Sequence, residues 1–116
     1  PEKPVLGVCL GMQLMGLIAG GVLEQDLEPK YAELHRDGNH QVFGELGEGE
    51  VHSSHHQALT ESGSLKVIAT AEDGIIEAVQ DLGRNWCIGV QWHPERTCDP
   101  TLGQGLFDQL CGAVTT

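Results

Sequence analysis

Basic residues are scarce in this chain of 116 residues: six Lys and Arg stand against seventeen Asp and Glu, for a formal net charge of −11. Nucleic acids and anionic bilayers are held by clustered Lys and Arg, so this balance argues against both as partners. Long apolar runs are missing too. No stretch of about eighteen apolar residues occurs, and no membrane-spanning helix is expected. Aromatic residues are few, with two Trp, one Tyr and two Phe, which leaves the core mainly to aliphatic side chains. A chain of this length makes one domain at most, with a modest core. It opens on Pro1 with no charged-then-apolar leader behind it, so it reads as processed or as a piece of something longer. The four cysteines lack the close spacing of a secreted disulfide scaffold. Cys9 follows a short apolar run, Cys87 sits inside another, and Cys111 falls on a helical pattern. Free thiols in a reducing, cytoplasmic setting are the expectation.

The apolar runs that do occur are short and alternate with turn residues. Val5 to Val8 reads as a buried strand, and Leu10, Met12, Leu14, Met15, Leu17 and Ile18 as a helix that stops at Gly20-Gly21. From Val22 to Asn39 the chain is polar, a surface loop suited to a lid or wall. His40 to Phe43 and Glu50 to Ser53 are short strands around a Gly- and Glu-rich turn. Ser64 to Ala71 and Ile75 to Gln80 flank Asp73-Gly74, a hairpin signal; Leu65, Val67 and Ala69 share one face of the first strand, with Ile68 on the other. Trp86 to Trp92 is the most apolar strand of the second half, and an amphipathic helix over about Thr101 to Cys111 closes the chain. The sum is α/β with a mixed sheet, lopsided because nothing precedes the first strand to supply neighbours on its other side.

The strand-to-helix junction at Cys9 carries the first chemical signal. Gly7-x-Cys9-x-Gly11 is the cysteine form of the nucleophile elbow, a sharp strained turn that holds the nucleophile clear of the sheet. Flanking glycines avoid collision there. The helix start aims its positive dipole end at the sulfur, favouring thiolate, and the Leu10 N–H is available to a developing oxyanion. Taken alone, the pattern fits an inert buried cysteine as well. The second signal is His93-Pro94-Glu95. A thiol nucleophile needs a base, and the base needs an acceptor on its other ring nitrogen. His93 ends a buried strand, a rigid mount, and Pro94 turns the chain so that Glu95 folds back toward the imidazole. The competing reading of these residues is a zinc site built from Cys87, His93, Cys98 and the His55-His56 pair. The Cys-x5-His-x4-Cys spacing matches no compact zinc pattern, and no metal or cofactor is expected.

The sequences G-V-C-L-G-M-Q at 7–13 and G-V-Q-W-H-P-E at 89–95 together resemble the class I glutamine amidotransferases, Cys-His-Glu hydrolases of γ-glutamyl amides. G-G-V-L-E-Q-D-L at 20–27, S-S-H-H-Q at 53–57 and D-G-I-I-E-A-V at 73–79 resemble the γ-glutamyl-γ-aminobutyrate hydrolase, peptidase C26-like, branch. The resemblance implies a flavodoxin-like, doubly wound α/β fold, of which residues 1–116 form the C-terminal part of a single hydrolase domain. It implies that Cys9 attacks the γ-carbonyl, His93 shuttles the proton and Glu95 orients His93. By the same resemblance Gln13, His55 and Gln57 contact a small γ-glutamyl substrate. Two departures stand out. Leu10 replaces the arginine common in this branch, as in the synthase-linked amidotransferases. Family members are also about twice as long, their first half supplying outer strands and a loop with the other oxyanion donor. The missing half or a second copy of the chain is therefore an expected partner. Two other readings remain open: the glutaminase part of an ammonia-channelling synthase, and a non-catalytic binding domain that keeps the fold.

Overall fold

The computed structural model describes residues 3–24, 38–55 and 57–114. In chain order they form β1 (Val5–Val8), α1 (Leu10–Ile18), β2 (Val22–Glu24), β3 (Gly38–Gly44), β4 (Gly49–Ser53), β5 (Ala58–Glu61), β6 (Lys66–Ala71), β7 (Ile76–Gln80) and β8 (Cys87–Val90). A single 3-10 turn, Pro94–Arg96, and helix α2 (Gln104–Val114) follow. Six strands make one sheet in the order β1-β8-β7-β6-β3-β4, and β2 pairs with β5 in a separate ribbon. Only β1 and β8 run parallel, with Val8 opposite Val90; the other pairs of the main sheet are antiparallel. The architecture is α/β with a mixed sheet, as the alternation of runs implies. Among the described residues β1 lies at the sheet's edge.

The sheet is covered on both faces, and β7 shows how. Ala78 joins Val42, Ile68, Ile88, Val90, Trp92, Leu102 and Leu106 on one side, while Val79 joins Met12, Leu59, Leu65 and Ile76 on the other. That accounts for β8, whose four residues are all buried: a strand buried on both faces is apolar throughout rather than alternating. Helix α1 sits on the Val79 side. It comes so close that a Cβ on Gly89 would lie 2.9 Å from Met12 Cγ and 3.0 Å from Met15 Sδ, so glycine at this position of β8 is a packing requirement. On the opposite side Trp92 is wholly buried and donates its indole N–H to the Leu102 carbonyl at 2.8 Å. This anchors the chain just before His93.

Three departures from the sequence reading have local causes. The expected face of Leu65, Val67 and Ala69 is broken, because register shifts flank Ala69 in the pairing of β6 with β7. Ile68 and Ala69 are both buried and Val67 turns outward; a bulge carries two consecutive side chains into cover. The surface loop expected from Val22 to Asn39 loses both ends to strands: Leu23 pairs opposite Leu59, and Gly38 opposite Ser53. Its middle, with the expected lid, lies outside the described residues. Strand β5 went unrecognised, since A-L-T-E is too short and too mixed to show a period of two.

Leu106 and Val114 share a helix but differ in burial, wholly enclosed against 66% exposed. Leu106→Ala is expected to lower unfolding stability by about 2–5 kcal/mol, and Val114→Ala by no more than about 0.5 kcal/mol, read from urea unfolding midpoints.

Candidate active site

The turn between β1 and α1 is strained. Cys9 has φ 52° and ψ −102°, the one non-glycine residue with positive φ among those described. Such a conformation costs about 1–3 kcal/mol and persists only where neighbours over-determine it. Here the Cys9 N–H is held by the Val90 carbonyl at 2.8 Å, and the Cys9 carbonyl accepts from the Gln13 N–H at 3.2 Å. The elbow is thus pinned to the last residue of β8 on one side and to the first turn of α1 on the other. Of its two flanking glycines, only one is required by contact. A Cβ on Gly7 would lie 2.8 Å from Met15 Sδ and 3.0 Å from the Gly11 carbonyl carbon; one on Gly11 would meet nothing within 4 Å. The collision expected at both positions occurs at Gly7 alone.

Around the sulfur, opposing influences are unequal. Burial pushes the Cys9 thiol above its ordinary pKa and is the largest effect; the Leu10 N–H and the Gln91 side-chain amide pull the other way, and the carboxylates of Glu95 and Glu77 add to the rise. The net direction is upward. That direction runs against the thiolate expected from the helix start alone. The sulfur lies 4.0 Å from the Ser54 carbonyl and 3.6 Å from Gln91 Nε2. The Leu10 N–H does point at the sulfur, while the Leu10 side chain faces solvent.

His93 follows β8 as Cys9 follows β1. Because those strands are parallel neighbours in register, both residues emerge at the same end of the sheet, the carboxyl end, where open α/β sheets bind their ligands. The main chain of His93 is fixed twice over. Its N–H donates to the His52 carbonyl at 2.9 Å, and its carbonyl accepts from the Thr97 hydroxyl at 2.9 Å. That hydroxyl accepts in turn from the His52 N–H at 3.1 Å, tying the 3-10 turn to β4. The ring Nδ1 is 3.1 Å from Glu95 Oε2. Burial works against ionisation of Glu95, but its hydrogen bonds and the charges of His93 and Arg96 outweigh it and hold the carboxyl below its ordinary value. An ionised carboxylate can only accept, so Nδ1 carries a proton, and in the uncharged tautomer this makes Nε2 the acceptor.

The other sequence-predicted residues converge on the elbow in an unforeseen way. Gln13 is buried, and its amide nitrogen donates to Gln91 Oε1 at 3.2 Å and to the Gln57 carbonyl at 3.3 Å. His55 is buried with Nδ1 2.7 Å from that same carbonyl. Gln57 thus enters through its main chain. His56 lies outside the described residues. Sequence reasoning missed Gln91, which is wholly buried beside Cys9. It also missed Glu77, whose Oε2 is 3.2 Å from His40 Nε2 with both side chains fully enclosed. The signal was legible: Glu77 stands between Ile76 and Ala78 and Gln91 between Val90 and Trp92, and a buried polar group among apolar neighbours demands a partner. Cys87 packs within β8 and Cys98 is exposed, and among the described residues no group of three or more His, Cys, Asp or Glu is placed to hold a metal ion.

Comparison with known proteins identifies the fold and the family. The solved structure of a glutamine amidotransferase from Thermotoga maritima superposes with a TM-score of 0.63 over 79% of this chain and 40% of that one, at 18% identity. The fold is that of the class I glutamine amidotransferases. The Peptidase C26 family model matches residues 1–95, and the chain belongs to that family. Protein NtpR of Enterococcus hirae is 37% identical over 130 residues, taking in 92% of this chain and 54% of that protein. A glutamine-hydrolysing GMP synthase subunit of Natronomonas pharaonis is 40% identical over 114 residues, 94% of this chain and 61% of that one. The chain spans little more than half the length of these two relatives.

Two outcomes follow from the elbow. Gly7→Ala is expected to cost about 1–3 kcal/mol through overpacking, whereas Gly11→Ala is neutral or stabilising by up to about 1 kcal/mol, both read from urea unfolding. Because burial raises the Cys9 thiol, its alkylation by iodoacetamide should reach half-maximum at a higher pH than that of an unstructured cysteine peptide. A lower midpoint would contradict this balance of burial and charge.

Proposed function

We propose that this chain carries the catalytic machinery of a cysteine hydrolase of γ-glutamyl amides, as the C-terminal part of a single amidotransferase-like domain. The observation that carries the reading is the pairing of β1 with β8, which delivers a strained cysteine and a carboxylate-bound histidine to one end of the sheet. Membership of the Peptidase C26 family supports the reaction class.

The chemistry follows from the groups. His93 Nε2 takes the proton from the Cys9 thiol as the sulfur attacks the γ-carbonyl carbon, and the Leu10 N–H meets the charge that develops on oxygen. The C–N bond then breaks, the imidazolium returns its proton to the departing amine, and a thioester remains. Water, deprotonated by the same ring, releases the γ-glutamyl acid and the thiol. Glu95 holds the ring in the required tautomer and stabilises its cationic form. A thiol pKa raised by burial suits this scheme, since the base acts only as the bond forms. Gln13, His55 and Gln57 line the glutamyl pocket. The substrate is a small molecule and the setting cytoplasmic; nucleic acid and membrane have no part in it, in keeping with the chain's acidic balance. No helix among the described residues is long and apolar enough to cross a membrane. A polypeptide corresponding to the rest of the relatives' length, or a second copy, completes the pocket wall.

A second reading, a glutaminase that supplies ammonia to a synthase, is favoured by one comparison: the relative from Natronomonas pharaonis is itself part of a GMP synthase. Co-purification with a synthase chain would select it.

Incubation with a γ-glutamyl diazo ketone and peptide mass spectrometry tests the main reading. Label confined to Cys9, and reduced about a hundredfold or more in His93→Ala, is the expected result. Equal labelling of Cys9, Cys87, Cys98 and Cys111, or of none, would defeat it. Cys9→Ser should abolish turnover while leaving the unfolding midpoint nearly in place; a Cys9→Ser protein that keeps most of its activity would remove the mechanism.

A further inference from the structure

The side-chain amides of Gln13 and Gln91 join Cys9 to Gln57 in a hydrogen-bond chain whose direction is determined from one end. It begins at the Gln57 main-chain carbonyl, which can only accept. This oxygen lies 2.7 Å from His55 Nδ1 and 3.3 Å from the Gln13 side-chain nitrogen, using both of its lone pairs. The nitrogen of the Gln13 amide must therefore face Gln57. That nitrogen also lies 3.2 Å from the Gln91 amide, so the Gln91 atom it meets must be the oxygen. Once its oxygen is committed to Gln13, Gln91 has one end left, its NH2, and that end is 3.6 Å from Cys9 Sγ. Gln13 and Gln91 are both buried, 4% and 0% exposed, so neither amide can exchange its partners for water without cost. The sulfur is the terminal acceptor.

We infer that Gln91 is a positioning residue for the nucleophile, whose amide, oriented by Gln13 and the Gln57 carbonyl, presents an N–H to Cys9 and holds the sulfur in place for attack. The inference rests on the reading of Cys9 as the nucleophile, and it adds a residue that reading does not contain. An N–H donated to sulfur favours the ionised form. It thus opposes the burial and the Glu95 and Glu77 carboxylates that favour the thiol. The relay also connects the nucleophile to the stretch that carries His55: a displacement of the Gln57 carbonyl would release Gln13, and with it the orientation of Gln91. The pocket wall and the reactivity of the sulfur are mechanically joined.

Alkylation of the whole chain by iodoacetamide, followed over pH and resolved by peptide mass spectrometry, tests this. The midpoint reports the thiolate and the high-pH plateau reports access to it. In Gln91→Met, which keeps the bulk and removes the donor, the Cys9 midpoint is expected to rise by about one pH unit, a tenfold loss of thiolate at neutral pH. In Gln13→Met the Gln91 amide stays but loses its orientation. The donor then faces sulfur about half of the time, so the thiolate falls about twofold. Labelling of the exposed Cys98 and Cys111 in the same digest is expected to be unaltered by either change. A Cys9 midpoint unmoved in Gln91→Met, with native circular dichroism, would overturn the inference. Should Gln91→Met not fold, an unmoved midpoint in Gln13→Met would overturn it equally. The two readings separate cleanly. Midpoints that move without diazo-ketone labelling of Cys9 leave the relay standing and the nucleophile unsupported, and the reverse pattern removes the relay alone.

Discussion

The parallel pairing of β1 with β8 is the constraint on which the site depends. Two segments some eighty residues apart in sequence are brought into register, and the 2.8 Å hydrogen bond from the Cys9 N–H to the Val90 carbonyl carries that register one residue past the end of β1. The bond does two things at once. It holds Cys9 at a positive φ that an unconstrained chain would leave, and it sets the elbow level with the residues that lead to His93. Apolar packing on both faces of the sheet supports it, through Met12 and Met15 over Gly89 on one side and Trp92 with Leu102 and Leu106 on the other. Core and site are one structure.

Charge around the sulfur shows why a helix N-terminus does not by itself make a thiolate. The dipole and the Leu10 N–H act in the favourable direction, but burial withdraws water, and two carboxylates share the neighbourhood. Glu95, held below its ordinary carboxylate range by a main-chain hydrogen bond and by its contact with His93, is one of the two carboxylates that disfavour a negative charge on sulfur. On the proposed mechanism, the arrangement suits a sulfur that ionises during attack. In it, buried amides rather than cationic side chains supply what stabilisation the sulfur has at rest.

Much of this was legible in the sequence, and the limits have physical reasons. The elbow, the His-Pro-Glu turn and the two strongest strands were readable because backbone demands there are local: glycine against a methionine sulfur, proline after a strand, an apolar run buried on both faces. The first turn of α1 was readable for the same reason. The alternation assigned to Leu65, Val67 and Ala69 failed because a bulge is set by the partner strand, not by the residues themselves. The hydrogen bonds of Gln13 were not legible, since its partners lie at Gln57 and Gln91, forty-four and seventy-eight residues away. Gln91 was visible as part of a motif, but without the sheet its neighbour was unknown. Glu77 stands out between apolar neighbours, whereas His40 sits between Asn39 and Gln41, and only the fold pairs the two.

The most direct test of the central claim is to catch the thioester itself. The chain would be mixed with L-glutamine, quenched in acid within the first turnover and digested. The account predicts a hydroxylamine-labile glutamyl group on the Cys9 peptide, absent from the His93→Ala protein. No acyl group on Cys9 in the native chain, or an equal one in His93→Ala, would contradict it.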